Sequence, residues 1–349
     1  MTMKAAPSYK PVSIWLFICS FAVLLMAVIG AVTRLTESGL SIVEWKPVLG
    51  ALPPLSDADW HNEFALYKET PQYQKVNMGM TLSEFKSIYF WEWLHRLWGR
   101  VIGVIFIVPF LVFGLRNKLP PRSAGAFIGV FFLGGLQGFM GWFMVQSGLV
   151  DLPAVSHYRL AAHLMLAVLI FALLFHMALS FSVREDPDAA RLAPMRGLVR
   201  FALACVVMTM TWGAFVAGLR AGLLYNTFPT MGGHWLPPEM LATTPIWRAF
   251  FEEPATVQFT HRILAVLTFV VLLMVVGRAK RFNPPQRLQR LLRGLFLMAF
   301  IQVGLGIATL LTHVKIALAA AHQAGAFVLV ALLVWLLRDI PHKSFAKGY

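Results

Sequence analysis

The chain has 349 residues, of which 58% are hydrophobic and 13% charged, with a mean hydropathy of +0.68. That balance excludes a water-soluble globular domain, which could not hide so much apolar surface. The net charge of +14 is accounted for by membrane topology and attraction to anionic lipid, and gives no reason to invoke nucleic acid.

A helix needs roughly 20 apolar residues to cross a bilayer core of about 30 Å. Eight stretches qualify, in chain order Val12–Thr33, Tyr89–Leu115, Ala124–Val145, His157–Phe181, Leu198–Leu219, Thr256–Gly277, Gly294–Leu311 and Ile316–Leu337. They predict an all-α membrane protein. Basic residues gather in alternate connections: Arg116, Lys118 and Arg122; Arg184, Arg191 and Arg196; Arg278, Lys280, Arg281, Arg287 and Arg290; then Arg338, Lys343 and Lys347 after the last span. Cytoplasmic loops retain Lys and Arg during insertion, so both termini are expected in the cytoplasm. The connection 34–88 carries Glu37, Glu44, Asp57, Asp59, Glu63, Glu69 and Glu84 and is expected outside. Its length predicts a lid or binding element. Cys19 and Cys205 fall mid-span, where a thiol behaves as a small apolar group, so no loop disulfide is implied. The N-terminus MTMKAAPSYKP is short and weakly basic for a transit peptide, and no small-residue cleavage site follows the first span. A bacterial cytoplasmic membrane is the simplest address.

The second half repeats the first. GAVTRLTESGL (Gly30–Leu40) matches GAFVAGLRAGL (Gly213–Leu223), WLHRL (Trp93–Leu97) matches FTHRI (Phe259–Ile263), LQGFMG (Leu136–Gly141) matches IQVGLG (Ile301–Gly306), and LAAHL (Leu160–Leu164) matches AAAHQ (Ala319–Gln323). Order is kept at offsets of 183, 166, 165 and 159 residues, with the drift absorbed in loops. Four spans per half put both halves in the membrane in the same orientation, so residues 1–183 and 184–349 are expected as two pseudo-twofold-related four-helix bundles, with the axis along the membrane normal.

Of ten histidines, the repeat singles out His95 and His163 in one half and His261 and His322 in the other. His61, His157, His176, His234, His313 and His342 have no counterparts. An ionisable side chain inside a bilayer is costly and marks function by default, although a single histidine can simply bond a neighbouring helix. Two histidines per bundle, from two helices at similar depth in the outer half, fit a flat iron-bearing ring held between axial imidazoles. Zinc or copper fits less well, because only Glu92 stands nearby as a further ligand. Gly99, Gly103, Gly134, Gly135, Gly138, Gly141, Gly304 and Gly306 would admit either a planar ligand or close helix packing. Arg96 and Arg262 each follow a histidine and would either pair with a haem propionate or snorkel to lipid phosphate. Glu92 lies one turn before His95, while its repeat counterpart is the non-ionisable Gln258. That asymmetry suggests one site doing proton-coupled chemistry and one holding a permanent cofactor, against the plainer reading of a glutamate paired with a basic neighbour.

ESGLSIVEWKPVLGALPPL, WEWLHR, YRLAAHL, AGLLYNTFPTMGGHW, QFTHR and AAAHQ, in this order, resemble haem A synthase, in the branch of that family without a loop cysteine pair. The resemblance implies oxidation of the C8 methyl of haem O to the formyl of haem A, by two successive hydroxylations and dehydration of the gem-diol, for terminal oxidase assembly. It implies that His261 and His322 bind a haem b iron, that His95 and His163 serve the substrate haem, and that Glu92 is required for turnover. It also implies contact with the farnesylating enzyme that makes haem O. The electron acceptor, the oxygen source and any homo-oligomeric state stay open. A one-sided four-histidine membrane electron carrier and a haem exporter are the rival readings. Four ligands from four helices on one side disfavour electron transfer across the bilayer, and an exporter would not need the carboxylate in one half only.

Overall fold

The computed structural model describes residues 9–44, 49–148, 153–182 and 186–341. Residues 45–48 of the first quoted motif, Arg184, His342, Lys343 and Lys347 lie outside the described residues. The helices are α1 (Lys10–Leu35), α2 (Asp57–Lys68), α3 (Pro71–Lys75), α4 (Leu82–Leu115), α5 (Ala124–Gln146), α6 (His157–Ser182), α7 (Arg196–Gly218), α8 (Ile246–Glu252), α9 (Pro254–Ala279), α10 (Gln286–Leu311) and α11 (Ile316–Asp339). Eight of them, α1, α4 to α7 and α9 to α11, are long and apolar enough to cross a membrane. The described residues form no strand, only an isolated bridge between Met231 and His234. In hydrocarbon every backbone group must be satisfied within its own segment, and helices meet that condition.

Six of the eight expected spans agree with the observed helices within about two residues at each end. The exceptions are α4 and α10, which begin at Leu82 and Gln286 rather than at Tyr89 and Gly294. Hydropathy registers only the part of a helix that lipid surrounds. At α4 the Thr81 hydroxyl accepts from Glu84 N (3.3 Å) while the Glu84 carboxylate accepts from Thr81 N (2.8 Å), a capping box that starts the helix in polar sequence. At α10 the basic first turns are amphipathic: Leu288, Leu291, Leu292 and Leu295 are buried, whereas Arg290 and Arg293 are exposed.

Helices α1, α6, α7 and α11 form the centre, with α1 on α6 and α11, and α7 on both α6 and α11. Helices α4 and α5 flank α1 and α6, and α9 and α10 flank α7 and α11. Phe171 of α6 meets Phe327 of α11 edge-on at 5.2 Å, and Gln323 Nε2 donates to Ala27 O of α1 at 2.7 Å. The segment between α1 and α4 folds as a small cap on the N-terminal turns of α4, with Phe64, Tyr67, Phe85 and Tyr89 in one buried cluster. Ser56 caps α2 in a capping box, and its hydroxyl and amide hold the Asp59 carboxyl below the ordinary aspartate value. Gln72 Nε2 ties the cap to the end of α1 by donating to Glu37 O at 2.8 Å.

Pro109 lies inside α4 and has no N–H for the carbonyl four residues back. That carbonyl, Ile105 O, accepts instead from Trp15 Nε1 of α1 at 2.8 Å. Trp15→Phe should therefore leave this half-buried carbonyl only the weak Cys19 Sγ donor at 4.0 Å and cost about 1 kcal/mol, measured by unfolding in mixed detergent micelles. The double variant with Pro109→Ala should recover most of the loss, because alanine at that position restores the missing backbone donor.

Candidate functional site

The four repeat-selected histidines sit on α4, α6, α9 and α11. His163, His261 and His322 lie within the first two or so turns of their helices, whereas His95 lies deeper in α4 because that helix starts early. Each imidazole is half-buried. Helix α1 packs on both α4 and α6, and α7 on both α9 and α11, so the two helices that carry each couple share a central neighbour.

Each ring rests on a glycine of an adjacent helix. A Cβ added at Gly30 would stand 3.0 Å from His95 Cε1, and one at Gly213 would stand 3.2 Å from His261 Cε1. At Gly141 it would stand 3.2 Å from His163 Cε1, and at Gly306 2.9 Å from His322 Cε1. These are two repeat-related pairs, Gly30 with Gly213 and Gly141 with Gly306. Of the other glycines expected to matter, Gly99 packs on Met26, while Gly103, Gly134, Gly135, Gly138 and Gly304 have nothing within 4 Å of an added Cβ. These last five do not mediate helix packing.

The polar partners repeat as well. Gln137 Nε2 donates to His163 O at 3.1 Å, and its counterpart Gln302 donates to His322 O at 2.9 Å. Gln137 Nε2 also stands 3.3 Å from His163 Nε2. His261 Nδ1 is 3.1 Å from Thr209 O. A carbonyl only accepts, so Nδ1 carries the proton and Nε2 keeps its lone pair for a ligand. The Nδ1 atoms of His95, His163 and His322 are buried without a hydrogen-bond partner. Among the described residues no three His, Cys, Asp or Glu side chains converge on one point. A metal held here between two imidazoles must bring its remaining ligands with it, as a porphyrin does. Two histidines in each half, each ring seated on a glycine, fit such a group.

Glu92, one turn before His95, is buried at 3% exposure. Its Oε2 accepts from Ser41 N (2.7 Å), Ser41 Oγ (2.8 Å) and Ile42 N (2.9 Å). Its Oε1 accepts from Arg96 Nε (3.1 Å) and Nη2 (2.6 Å). Arg96 also donates to Ile42 O (2.9 Å) and Glu44 O (3.3 Å). Arg262 donates to Tyr225 O (3.1 Å), Thr227 O (3.0 Å) and Thr230 O (3.2 Å), and Gln258 Nε2 donates to Tyr225 O at 3.0 Å. Both arginines therefore grip the segment that follows the first helix of their own half. Sequence reasoning missed this role, together with Gly30, Gly213, Gln137, Gln302, Ser41 and Thr209. The two glycines and two glutamines were visible in the repeat, since they stand at matched positions in quoted segments. Ser41 stood inside the first quoted motif without anything to single it out, and nothing in the sequence marked Thr209.

The family described as cytochrome oxidase assembly protein, COX15-CtaA, matches residues 13–334. The chain belongs to that family. It is 53% identical to a haem A synthase of Rhodospirillum centenum over 96% of this chain and 89% of the relative. Against the haem A synthase of Nitrosospira multiformis it is 49% identical over 95% and 94% of the two chains. Against that of Wolbachia pipientis it is 42% identical over 94% and 92%. The family match spans all eight candidate membrane helices, so both histidine couples lie inside it.

Gly141→Ala should push the His163 ring aside and destabilise the protein by about 1–3 kcal/mol. Gly129→Ala on the same helix, with nothing within 4 Å of the new methyl, should be neutral or mildly stabilising through helix propensity. Paired unfolding curves of the two variants check the contrast.

Proposed function

We propose that this chain is a haem A synthase, oxidising the C8 methyl of haem O to the formyl of haem A by two successive hydroxylations by way of haem I, for cytochrome oxidase assembly. The observation that carries the reading is the doubled couple of imidazoles, each ring seated on a glycine at repeat-matched positions. The names of relatives sharing 42–53% of its residues supply the reaction.

The proposal divides the work between residues 1–183, with His95 and His163 holding the substrate haem, and residues 184–349, with His261 and His322 as axial ligands of a haem b. That cofactor supplies one-electron redox capacity. Thr209 fixes the His261 tautomer so that Nε2 faces the ligand space. Gln137 and Gln302 hold the backbone of the facing histidines on α6 and α11. The open-sided glycines of α5 and α10 leave room for a planar substrate and cofactor. Glu92 is required for turnover. Arg96 and Arg262, expected from the sequence beside propionates, already donate to loop carbonyls and would fix the segment bordering each site. The basic connections and both termini face the cytoplasm of a bacterial inner membrane, with both sites toward the opposite side. Haem O arrives from the farnesylating enzyme that makes it.

Membranes expressing the chain beside a haem O source should yield haem A on pigment extraction, and a yield of haem O alone would overturn the reading. His261→Ala or His322→Ala should remove the resident haem b spectrum from the purified protein. His95→Ala or His163→Ala should keep that spectrum while haem A formation falls by at least about tenfold, the scale of losing about 1.4 kcal/mol or more of transition-state stabilisation.

A further inference from the structure

We infer that Glu92 is a positioning residue, clamping the segment 36–44 to α4, rather than the group that accepts the proton during methyl oxidation. Three observations lead there. First, the carboxylate already accepts five hydrogen bonds, which fills the roughly four lone-pair sites it offers. Second, the same position does the same job in the other half with a group that cannot ionise. Glu92 receives the N–H of Ile42, and Gln258 gives an N–H to the C=O of Tyr225. Ile42 and Tyr225 are repeat counterparts at the offset of 183 that relates Gly30 to Gly213. The arginine one turn later closes each clasp on the same two residues, Arg96 on Ile42 O and Arg262 on Tyr225 O. Third, a role shared by both halves is not chemistry confined to one of them.

The clamp reaches the imidazole through α1. The segment 36–44 continues directly from α1, whose Thr33 hydroxyl donates to Trp91 O of α4 at 3.2 Å. One turn earlier in α1, Gly30 presses on His95. Holding Ser41 and Ile42 therefore sets the approach of α1 to α4 and, with it, the plane of the His95 ring. The difference in charge follows from what is gripped: two amide N–H groups and a hydroxyl in one half, a lone carbonyl in the other. Donors call for a carboxylate, and an acceptor calls for an amide.

The test compares Glu92→Gln, Ser41→Ala and Gln258→Ala with the parent as full-length protein in nanodiscs. Amide hydrogen exchange across 36–44 needs no haem, and it should rise at least about tenfold in Glu92→Gln and measurably in Ser41→Ala. The remaining arms rest on the proposed function. The low-spin electron paramagnetic resonance signal assigned to the His95–His163 site should shift in the same sense in Glu92→Gln and Ser41→Ala. Gln258→Ala should move only the signal of the other site. Haem A formation should fall in both Glu92→Gln and Ser41→Ala, with the shape of its pH profile unchanged and the double variant no worse than the worse single. Unchanged exchange at 36–44 in Glu92→Gln, or loss of one limb of the pH profile there with Ser41→Ala behaving as the parent, overturns the inference. If no haem A forms in the parent, the function proposal fails while the exchange result still decides the clamp.

Discussion

The arrangement depends on one steric condition: an imidazole inside a packed membrane bundle needs a neighbouring helix to withdraw its side chain. Four histidines meet that condition four times, against Gly30, Gly141, Gly213 and Gly306. Any larger residue would place a carbon within about 3 Å of the ring, closer than packed interiors tolerate without displacement. The glycines therefore fix ring position by backbone contact, which is stiffer than contact with a mobile side chain. They also explain why the flanking helices come so near the ligand-bearing ones despite the absence of a hydrophobic driving force between helices in lipid.

A second constraint acts at the ends of the helices. The residue one turn before His95 or His261 and the arginine just after it fasten the segment leaving the first helix of each half. The two halves solve that problem with opposite hydrogen-bond polarity. Between the halves, repeat counterparts meet directly: Glu37 pairs with Arg220 at 2.8 Å, and both adopt left-handed backbone angles, φ 55° and 53°. Arg34 donates to the carbonyl of its own counterpart, Ala217, at 2.7 Å. Partly exposed, the Glu37–Arg220 pair contributes little by itself.

Much of this was legible in the sequence. The eight spans follow from the energetics of burying backbone in hydrocarbon, which leaves a long, coarse signal that composition cannot hide. The four histidines were legible because they stand at matched positions in the repeat, whereas the other six have no counterpart. The starts of α4 and α10 were less legible, because a helix that continues into polar sequence leaves no hydropathy edge, and only the Thr81 and Glu84 capping pattern marks the first of them. Glu92 is the instructive case. Its spacing from His95 and its asymmetry with Gln258 were read correctly as facts, but spacing along a helix does not tell what lies across from it. Arg96, one turn on, is the basic neighbour that spacing does suggest, but the donors to the other carboxylate oxygen come from Ser41 and Ile42, some 50 residues away in the chain.

By itself, then, the sequence determined the class, the number of spans, the repeat and the four matched histidines, because each is encoded in composition or in self-similarity within the chain. Tertiary structure alone decided which glycines seat the rings, which tautomer His261 adopts, and whether arginine and glutamate point to a ligand or to a loop. Those are contacts between segments distant in sequence, set by the packing of α1 on α4 and α7 on α9, and no local pattern reports the partner that a buried polar group will meet.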